Sequence, residues 1–573
     1  MDALTQYVLA ATGWILPPLA LWLLLRCLRS MLRGKSETEI WAYLEDDSGT
    51  KFPVRHWECI IGRAKNSDIV LSSPDAARTH AALIRSDTGK WKLYNLAKDS
   101  ETAIGARRDD GHGLEVHDGN ILFFGETGYV FHDMDDASLA ENERGRVVPG
   151  MFISQGITLL LLTVFQVLIA LQFANLLEGK QLTDAMLGFA VLILSQWCYY
   201  LIMRAMDRRG FEVETLAFFL CTLGMSVSVS STPDDTLKQV ILLLAGIFVF
   251  IFLGWWLRDL RRTRFLRAPL AVASLAFLAL NLVLGTNTNG ATNWLNIGGI
   301  ALQPSEFVKV AYIYVGASTL DRLYRSRNLF VYIAFSATCV GALALMGDFG
   351  TALIFFTTFL VISFMRSGSF STVFLAVAGA AFAVFLILTV KPYIAQRFLT
   401  WGHIWEDPYG AGWQQTRALS AAASGALTGV GIGKGWLHTI FAADTDMVFC
   451  MLCEEFGLII ALTAMLALVA MAFFTVKNAA EGRSSFYVIA ACAAASMMLV
   501  QLALNVFGST DILPFTGVTF PLVSKGGSSL ISCWALLAFI KASDTRQNAS
   551  FSVKLSAKRR FEEYEYDEEV DDK

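Results

Sequence analysis

The feature that most limits this chain is a succession of apolar runs, each close to or above the ~20 residues that carry a helix across a bilayer core. They fall at 7–25, 152–174, 184–203, 212–230, 236–257, 268–285, 304–320, 329–346, 350–365, 371–391, 447–474, 486–507 and 517–540. These thirteen runs predict a polytopic α-helical membrane protein. Composition agrees: 54% of residues are apolar and 17% charged, where a soluble protein carries about 25% charged residues. A net charge of −4 leaves no electrostatic footprint for nucleic acid.

Charge placement gives the topology, because short loops rich in Lys and Arg stay cytoplasmic. The first run is followed by Arg26, Arg29, Arg33 and Lys35. A cleaved signal peptide has its charges before the apolar stretch, so residues 1–35 read as a retained helix with its basic flank inside. Alternate loops then hold Arg204, Arg208 and Arg209; five arginines between Arg258 and Arg267; Arg322, Arg325 and Arg327; Arg366; and Lys477 with Arg483. Those loops and the tail after Lys541 are expected inside, and charge-poor loops such as Gly285–Asn293 outside. The long loop 392–446 then falls outside. It carries Trp401, Trp405, Tyr409, Trp413 and Trp436, the cations Arg397 and Lys434, and the glycine-rich stretch Gly425–Gly435. Indole rings favour a membrane interface.

Residues 40–135 differ from the rest. Short runs rich in strand formers, Cys59–Ile61, Ile69–Leu71, Ala81–Ile84, Trp91–Asn95, Ile121–Phe124 and Tyr129–Phe131, alternate with turn residues. That pattern predicts a small β-sandwich on the cytoplasmic side, with a polar linker at 136–150 leading into a membrane domain at 151–545. The tail 546–573 is basic, then acidic. Nine scattered cysteines show neither a disulfide framework nor zinc spacing, and Cys450 and Cys453 read as packing residues.

Ionisable groups at membrane depth are costly unless paired or hydrated. Four fall at the outer ends of runs: Glu306, Lys309, Asp348 and Asp446. Glu306 and Lys309 are three apart and share a helix face. After Pro304 and Ser305 they suit a capped helix start with an ion pair, and Asp446 after Asp444 suits a helix start as well. Together, though, these groups face one membrane level that Arg397, Lys434 and Lys525 can also reach. Cations there could hold a diphosphate, and a carboxylate could take a proton from an acceptor hydroxyl.

The same residues carry a resemblance. Gly290-Ala291-Thr292-Asn293-Trp294-Leu295 and Gln303-Pro304-Ser305-Glu306-Phe307-Val308-Lys309 resemble a signature of the SEDS family, to which FtsW, RodA and SpoVE belong. Asp348–Ala352, Asp444–Phe449 with Glu454–Gly457, and Pro514–Gly517 with Pro521–Ser529 resemble its further blocks, in order, with Asn505 ahead of the last. The resemblance implies a peptidoglycan glycosyltransferase in the bacterial cytoplasmic membrane. Such an enzyme polymerises lipid II at the outer face with a class B penicillin-binding protein, in division, elongation or sporulation. It implies Asp446 as general base, or as ligand of a divalent cation (Mg or Mn) serving that step. Glu306, Lys309, Asp348, Arg397, Lys434, Ser524 and Lys525 would support the site or hold substrate. Met346-Gly347 and Lys525 depart from the family pattern. A lipid II transporter and a non-catalytic scaffold are the alternatives.

Residues 40–135 resemble a forkhead-associated (FHA) domain through Gly62-Arg63, Asn66–Leu71, Arg78-Thr79-His80-Ala81 and Asp118–Gly125. This implies binding of a phosphoprotein through Arg63 and Arg78, the alternative being a docking module that binds a partner without phosphate. Ala77 stands where a phosphate-contacting serine is expected.

Overall fold

The computed structural model describes residues 3–552 except 34–38, 66, 87–88, 98–100, 110–112, 136, 140, 142–147, 151–152, 289–290, 298–299, 321–325, 368–369, 372, 380 and 382–398. The expected run at 371–391 lies largely outside them, as does Arg397. Among the described residues eight helices are long and apolar enough to cross a membrane, and three apolar helices are shorter: Leu329–Leu345, Phe349–Met365 and Gly527–Ala542.

Helix α1 (Ala3–Leu32) is longer than the run 7–25 and passes through Pro17 and Pro18. It belongs to the bundle rather than standing apart. Thr12 takes a hydrogen bond from Gln172, Arg26 Nε donates to Thr158 Oγ1 at 3.1 Å, and Ser30 Oγ donates to Glu212 Oε1 at 2.6 Å. Helices α2 (Gln155–Ala174), α3 (Gly179–Ala205), α4 (Glu212–Ser231), α5 (Thr236–Trp256) and α6 (Leu260–Leu284) follow. Ser154 caps α2 by accepting from the Ile157 amide.

α4 is the central post: 94% of its apolar stretch is buried within the protein, against 17% for α6. Its first turn carries Glu212 and Glu214, both buried. Buried charges persist when paired and hydrogen-bonded. Arg546 Nη2 meets Glu212 at 2.9 Å and Asp544 at 2.8 Å, and Lys541 meets Glu214 at 3.1 Å. The start of the basic tail is therefore folded under α4 as part of the core.

Helices α7 (Pro304–Leu320), α8 (Ser326–Leu345) and α9 (Phe349–Ser367) come next. The loop ahead of α7, expected only as a charge-poor connection, is a three-stranded antiparallel sheet of Thr286–Thr288, Ala291–Ile297 and Ile300–Leu302. The described part of the long loop holds helix α10 (Trp413–Ser424) and the one-turn α11 (Ala443–Asp446).

Two expected spans are corrected. The run 447–474 is two helices, α12 (Val448–Phe456) and α13 (Leu458–Ala479), broken at Gly457. Its φ of +86° suits glycine, and a Cβ there would lie 2.3 Å from the Leu427 carbonyl oxygen. The run 517–540 is helical only in α15 (Gly527–Ala542), and residues 511–526 form a non-helical segment. Non-helical backbone is tolerated at membrane depth only when protein or a water-filled cavity surrounds it; here Phe520, Leu522, Val523 and Ser524 are buried. Helix α14 (Ser485–Ser509) precedes that segment.

Residues 42–133 form a sandwich of eleven strands: β1 (Ala42–Glu45), β2 (Lys51–Val54), β3 (Glu58–Gly62), β4 (Ile69–Val70), β5 (Ala81–Arg85), β6 (Trp91–Asn95), β7 (Thr102–Ile104), β8 (Arg107–Arg108), β9 (Leu114–Val116), β10 (Ile121–Phe124) and β11 (Thr127–Asp133), among the described residues. They form two sheets, ordered β2-β1-β11-β10-β7-β8 and β4-β3-β5-β6-β9. Trp91 and Phe131 meet edge to face in the core, with centroids 5.5 Å apart. The sandwich docks on the turn between α13 and α14. Trp57 N–H donates to the Arg483 carbonyl at 2.7 Å, and His56 Nδ1 lies 2.7 Å from the Gly482 carbonyl. Arg483 pairs with Glu39 at 3.4 Å, both buried.

Candidate active site

The segment 511–526 is the hub on which the candidate residues meet. Gly517 (φ +67°) lies against Asp446: a Cβ there would stand 3.1 Å from Asp446 Oδ2. Asn505 Nδ2 donates to the carbonyls of Asp446 at 3.0 Å and Val518 at 2.8 Å. Ser524 Oγ donates to the Thr445 carbonyl at 2.6 Å and accepts from Phe520 N–H at 2.7 Å. Asp446 ends α11 and is half-buried, whereas Asn505 and Ser524 are buried. The backbone around this carboxylate is thus fixed from two elements.

Lys525 spans three groups. Its Nζ donates to Thr232 Oγ1 at 2.5 Å and lies 3.5 Å from Asp444 Oδ2 and 3.7 Å from Asp235 Oδ2. It ties the α4–α5 connection to the turn that carries Asp446.

Glu306 and Lys309 form an ion pair at 2.7 Å, with both side chains under 5% exposed. Lys309 Nζ also donates to Gln501 Oε1 at 3.2 Å, and Ser532 Oγ donates to Glu306 Oε2 at 2.7 Å. Gln501 Nε2 in turn donates to Thr519 Oγ1 at 2.7 Å, so the pair braces the hub from below. The i,i+3 spacing exposed the pair; nothing in the spacing pointed to Gln501 or Ser532, which lie on other helices.

Asp348 caps α9, accepting from Thr351 N–H at 3.1 Å and from Gln303 Nε2 at 3.3 Å. The helix it starts abuts the hub: a Cβ on Gly350 would meet Val518 Cγ2 at 2.6 Å. Lys434 is exposed on the glycine-rich stretch. That stretch packs on α12, where Glu454 accepts from the amides of Trp436 at 2.9 Å and Leu437 at 3.1 Å. Glu455 Oε2 accepts from Gly433 N–H at 3.0 Å and Ser230 Oγ at 2.8 Å.

Among the described residues no three His, Cys, Asp or Glu side chains are grouped so as to hold a metal ion.

In the sandwich, Arg63 and Arg78 are exposed on adjoining loops. Arg63 N–H donates to the Ala77 carbonyl at 3.0 Å, and a Cβ on Gly62 would lie 2.3 Å from the Arg78 carbonyl oxygen. Beneath them His80 is fully buried, accepting from Ala77 N–H at Nδ1 (3.1 Å), with Nε2 3.2 Å from the Glu101 carbonyl. Burial holds its pKa below the usual 6.5. The unfolded chain therefore takes up the proton first as pH falls through about 6.5, and the sandwich loses stability toward acid. Hydrogen exchange at Ala77–His80 should accelerate, relative to intrinsic rates, between pH 7.5 and 5.5, and His80→Gln should flatten that dependence.

Comparisons with known proteins match both parts. The FtsW/RodA/SpoVE family, described as cell cycle proteins, matches residues 217–548, and the FHA domain family matches 59–125. The peptidoglycan glycosyltransferase RodA of Mycobacterium bovis is 30% identical over 323 residues, covering 53% of this chain and 69% of the relative. A probable peptidoglycan glycosyltransferase FtsW of Buchnera aphidicola is 28% identical over 341 residues, covering 56% and 83%. A chain from a peptidoglycan synthase complex that coordinates polymerization and crosslinking is 27% identical, with a TM-score of 0.48, covering 58% of this chain and 96% of that one. The protein is a membrane protein of the FtsW/RodA/SpoVE family that carries an FHA domain between the first two helices of its bundle.

Proposed function

We propose that this protein is a peptidoglycan glycosyltransferase that extends glycan strands from lipid II, with Asp446 as the general base. The observation that carries the reading is the immobilised turn at Asp446, with Asn505, Ser524 and Gly517 fixing the backbone around a half-buried carboxylate. A general base must be held within hydrogen-bond reach of the proton it removes. Asp446 takes the proton of the acceptor 4-hydroxyl as that oxygen bonds to the donor's anomeric carbon. The bond from that carbon to the lipid diphosphate breaks, and the diphosphate leaves with its electron pair.

The leaving diphosphate would draw Lys525 away from Asp444 and Asp235, which hold it at 3.5 and 3.7 Å. Arg397 and Lys434 are the further cations for it. A divalent cation would fit in the manner usual for Mg²⁺, one carboxylate plus substrate phosphate oxygens. In that alternative Asp446 would hold the cation in place of acting as the base, and the cation would neutralise charge on the diphosphate. Loop charge supports placing this site on the outer face, with the FHA domain and C-terminus cytoplasmic. A class B penicillin-binding protein is the proposed crosslinking partner, and a phosphoprotein the proposed ligand of Arg63 and Arg78.

The test is incubation of the purified protein and its transpeptidase with labelled lipid II, under penicillin and moenomycin. Wild type should build glycan ladders, and Asp446→Ala should build none at equal yield and melting point. Ladders from both proteins would remove Asp446 from the chemistry. Ladders from neither would favour transport or a scaffold role.

A further inference from the structure

Helix α14 begins at the FHA domain and ends at the candidate active site. At its start, Glu58 accepts from Ser485 N–H at 2.9 Å and from Ser484 Oγ at 3.0 Å. A carboxylate at a helix N-terminus satisfies orphan amides and complements the macrodipole. Next to it, Trp57, His56 and Glu39 hold the turn at Gly482 and Arg483. Near its other end, Gln501 reaches Lys309 and Thr519, and Asn505 holds the Asp446 carbonyl. Ser485 and Asn505 are about 30 Å apart on a helix rising ~1.5 Å per residue.

We infer that the FHA domain controls the site at Asp446 by docking on the start of α14. The docked domain sets the axial position and rotation of α14. Those in turn set where Asn505 places Asp446 and where Gln501 places Lys309. Docking is the productive state, and undocking loosens the Asp446 turn.

The input end is built into the same strand. β3 runs from Glu58, which caps α14, to Gly62, which leads into the exposed Arg63. A ligand drawn to Arg63 and Arg78 therefore pulls on the strand whose first residue is the contact with α14. Coupling of this kind needs an element with two arrangements that both sites bias. Here it is the docked and undocked sandwich. The proposal rests on Asp446 being the general base.

The test uses the full chain with its transpeptidase and labelled lipid II. Glu58→Gln removes the charge at the start of α14, and Glu58→Lys reverses it. Both should speed hydrogen exchange at 482–485 and also at 443–447. Both should slow polymerisation, Glu58→Lys about tenfold, inside the 5–150-fold range usual for coupled sites. Arg108→Ala, on an exposed strand of the same domain, should leave the rate unchanged. Should Glu58→Lys melt early, Glu58→Gln decides the matter. Wild-type rates in the Glu58 variants, or exchange confined to 482–485, would overturn the coupling even with Asp446→Ala inactive. Ladders from Asp446→Ala would instead remove the reading beneath it, while the dependence on Glu58 could still be read.

Discussion

Lys309→Met should yield little folded protein. The substitution leaves the Glu306 carboxylate under 5% exposed with its cation gone. Breaking one side of a buried pair costs about 3–5 kcal/mol, because the remaining charge is uncompensated. Replacing both partners removes the charge altogether, so Glu306→Gln with Lys309→Met should recover most of the lost thermal midpoint in detergent. The double variant should still polymerise poorly. Gln501 loses the donor at its Oε1, and the brace from Glu306 through Lys309 and Gln501 to Thr519 is cut. A double variant as unstable as Lys309→Met alone would show that the pair is not coupled.

Gly425→Ala is the second severe substitution, for a different reason. Its φ of −72° admits any residue, so backbone strain is not the cause. A Cβ there would stand 1.8 Å from the Cys453 carbonyl oxygen and 2.7 Å from the Glu454 Cα. Those atoms are backbone and cannot swing aside as a flexible side chain would. Overpacking of this sort costs about 1–3 kcal/mol or more, and here it separates the glycine-rich stretch from α12. The expected result is a melting midpoint several degrees lower and loss of glycan ladders. Gly341→Ala, with open space around its Cβ, should melt like wild type. Equal behaviour of the two variants would mean that the stretch does not pack on α12.

Much of this was legible in the chain, and what was not has identifiable causes. The strands Trp91–Asn95 and Ile121–Phe124 follow from short runs of strand-forming residues bounded by turn residues. Lys51–Val54 escaped because it contains Pro53, which sheets tolerate at an edge, and this strand is indeed outermost. The helix break at Gly457 was hidden because hydropathy continues across it; only the backbone angle and the close Leu427 carbonyl reveal it. Residues 517–526 read as part of a span because Val518, Phe520, Leu522 and Val523 are apolar. They are apolar because they are buried in protein, and Pro521 was the signal against a helix. At the site, motif order singled out Asp446, Glu306, Lys309 and Ser524, and charge placement at the outer membrane level singled out Lys525. Gln501, Ser532 and Thr232 act across helices, where spacing along one element carries no information.

The base of α4 bears on how the chain is made. Glu212 and Glu214 emerge from the ribosome more than 300 residues before Lys541 and Arg546, which neutralise them. Ionisable groups at membrane depth are costly until they are paired. The first turn of α4 therefore gains these partners only when the final span arrives. Assembly of this protein is timed by its last helix, and a chain stalled before Lys541 holds its central helix without its cations.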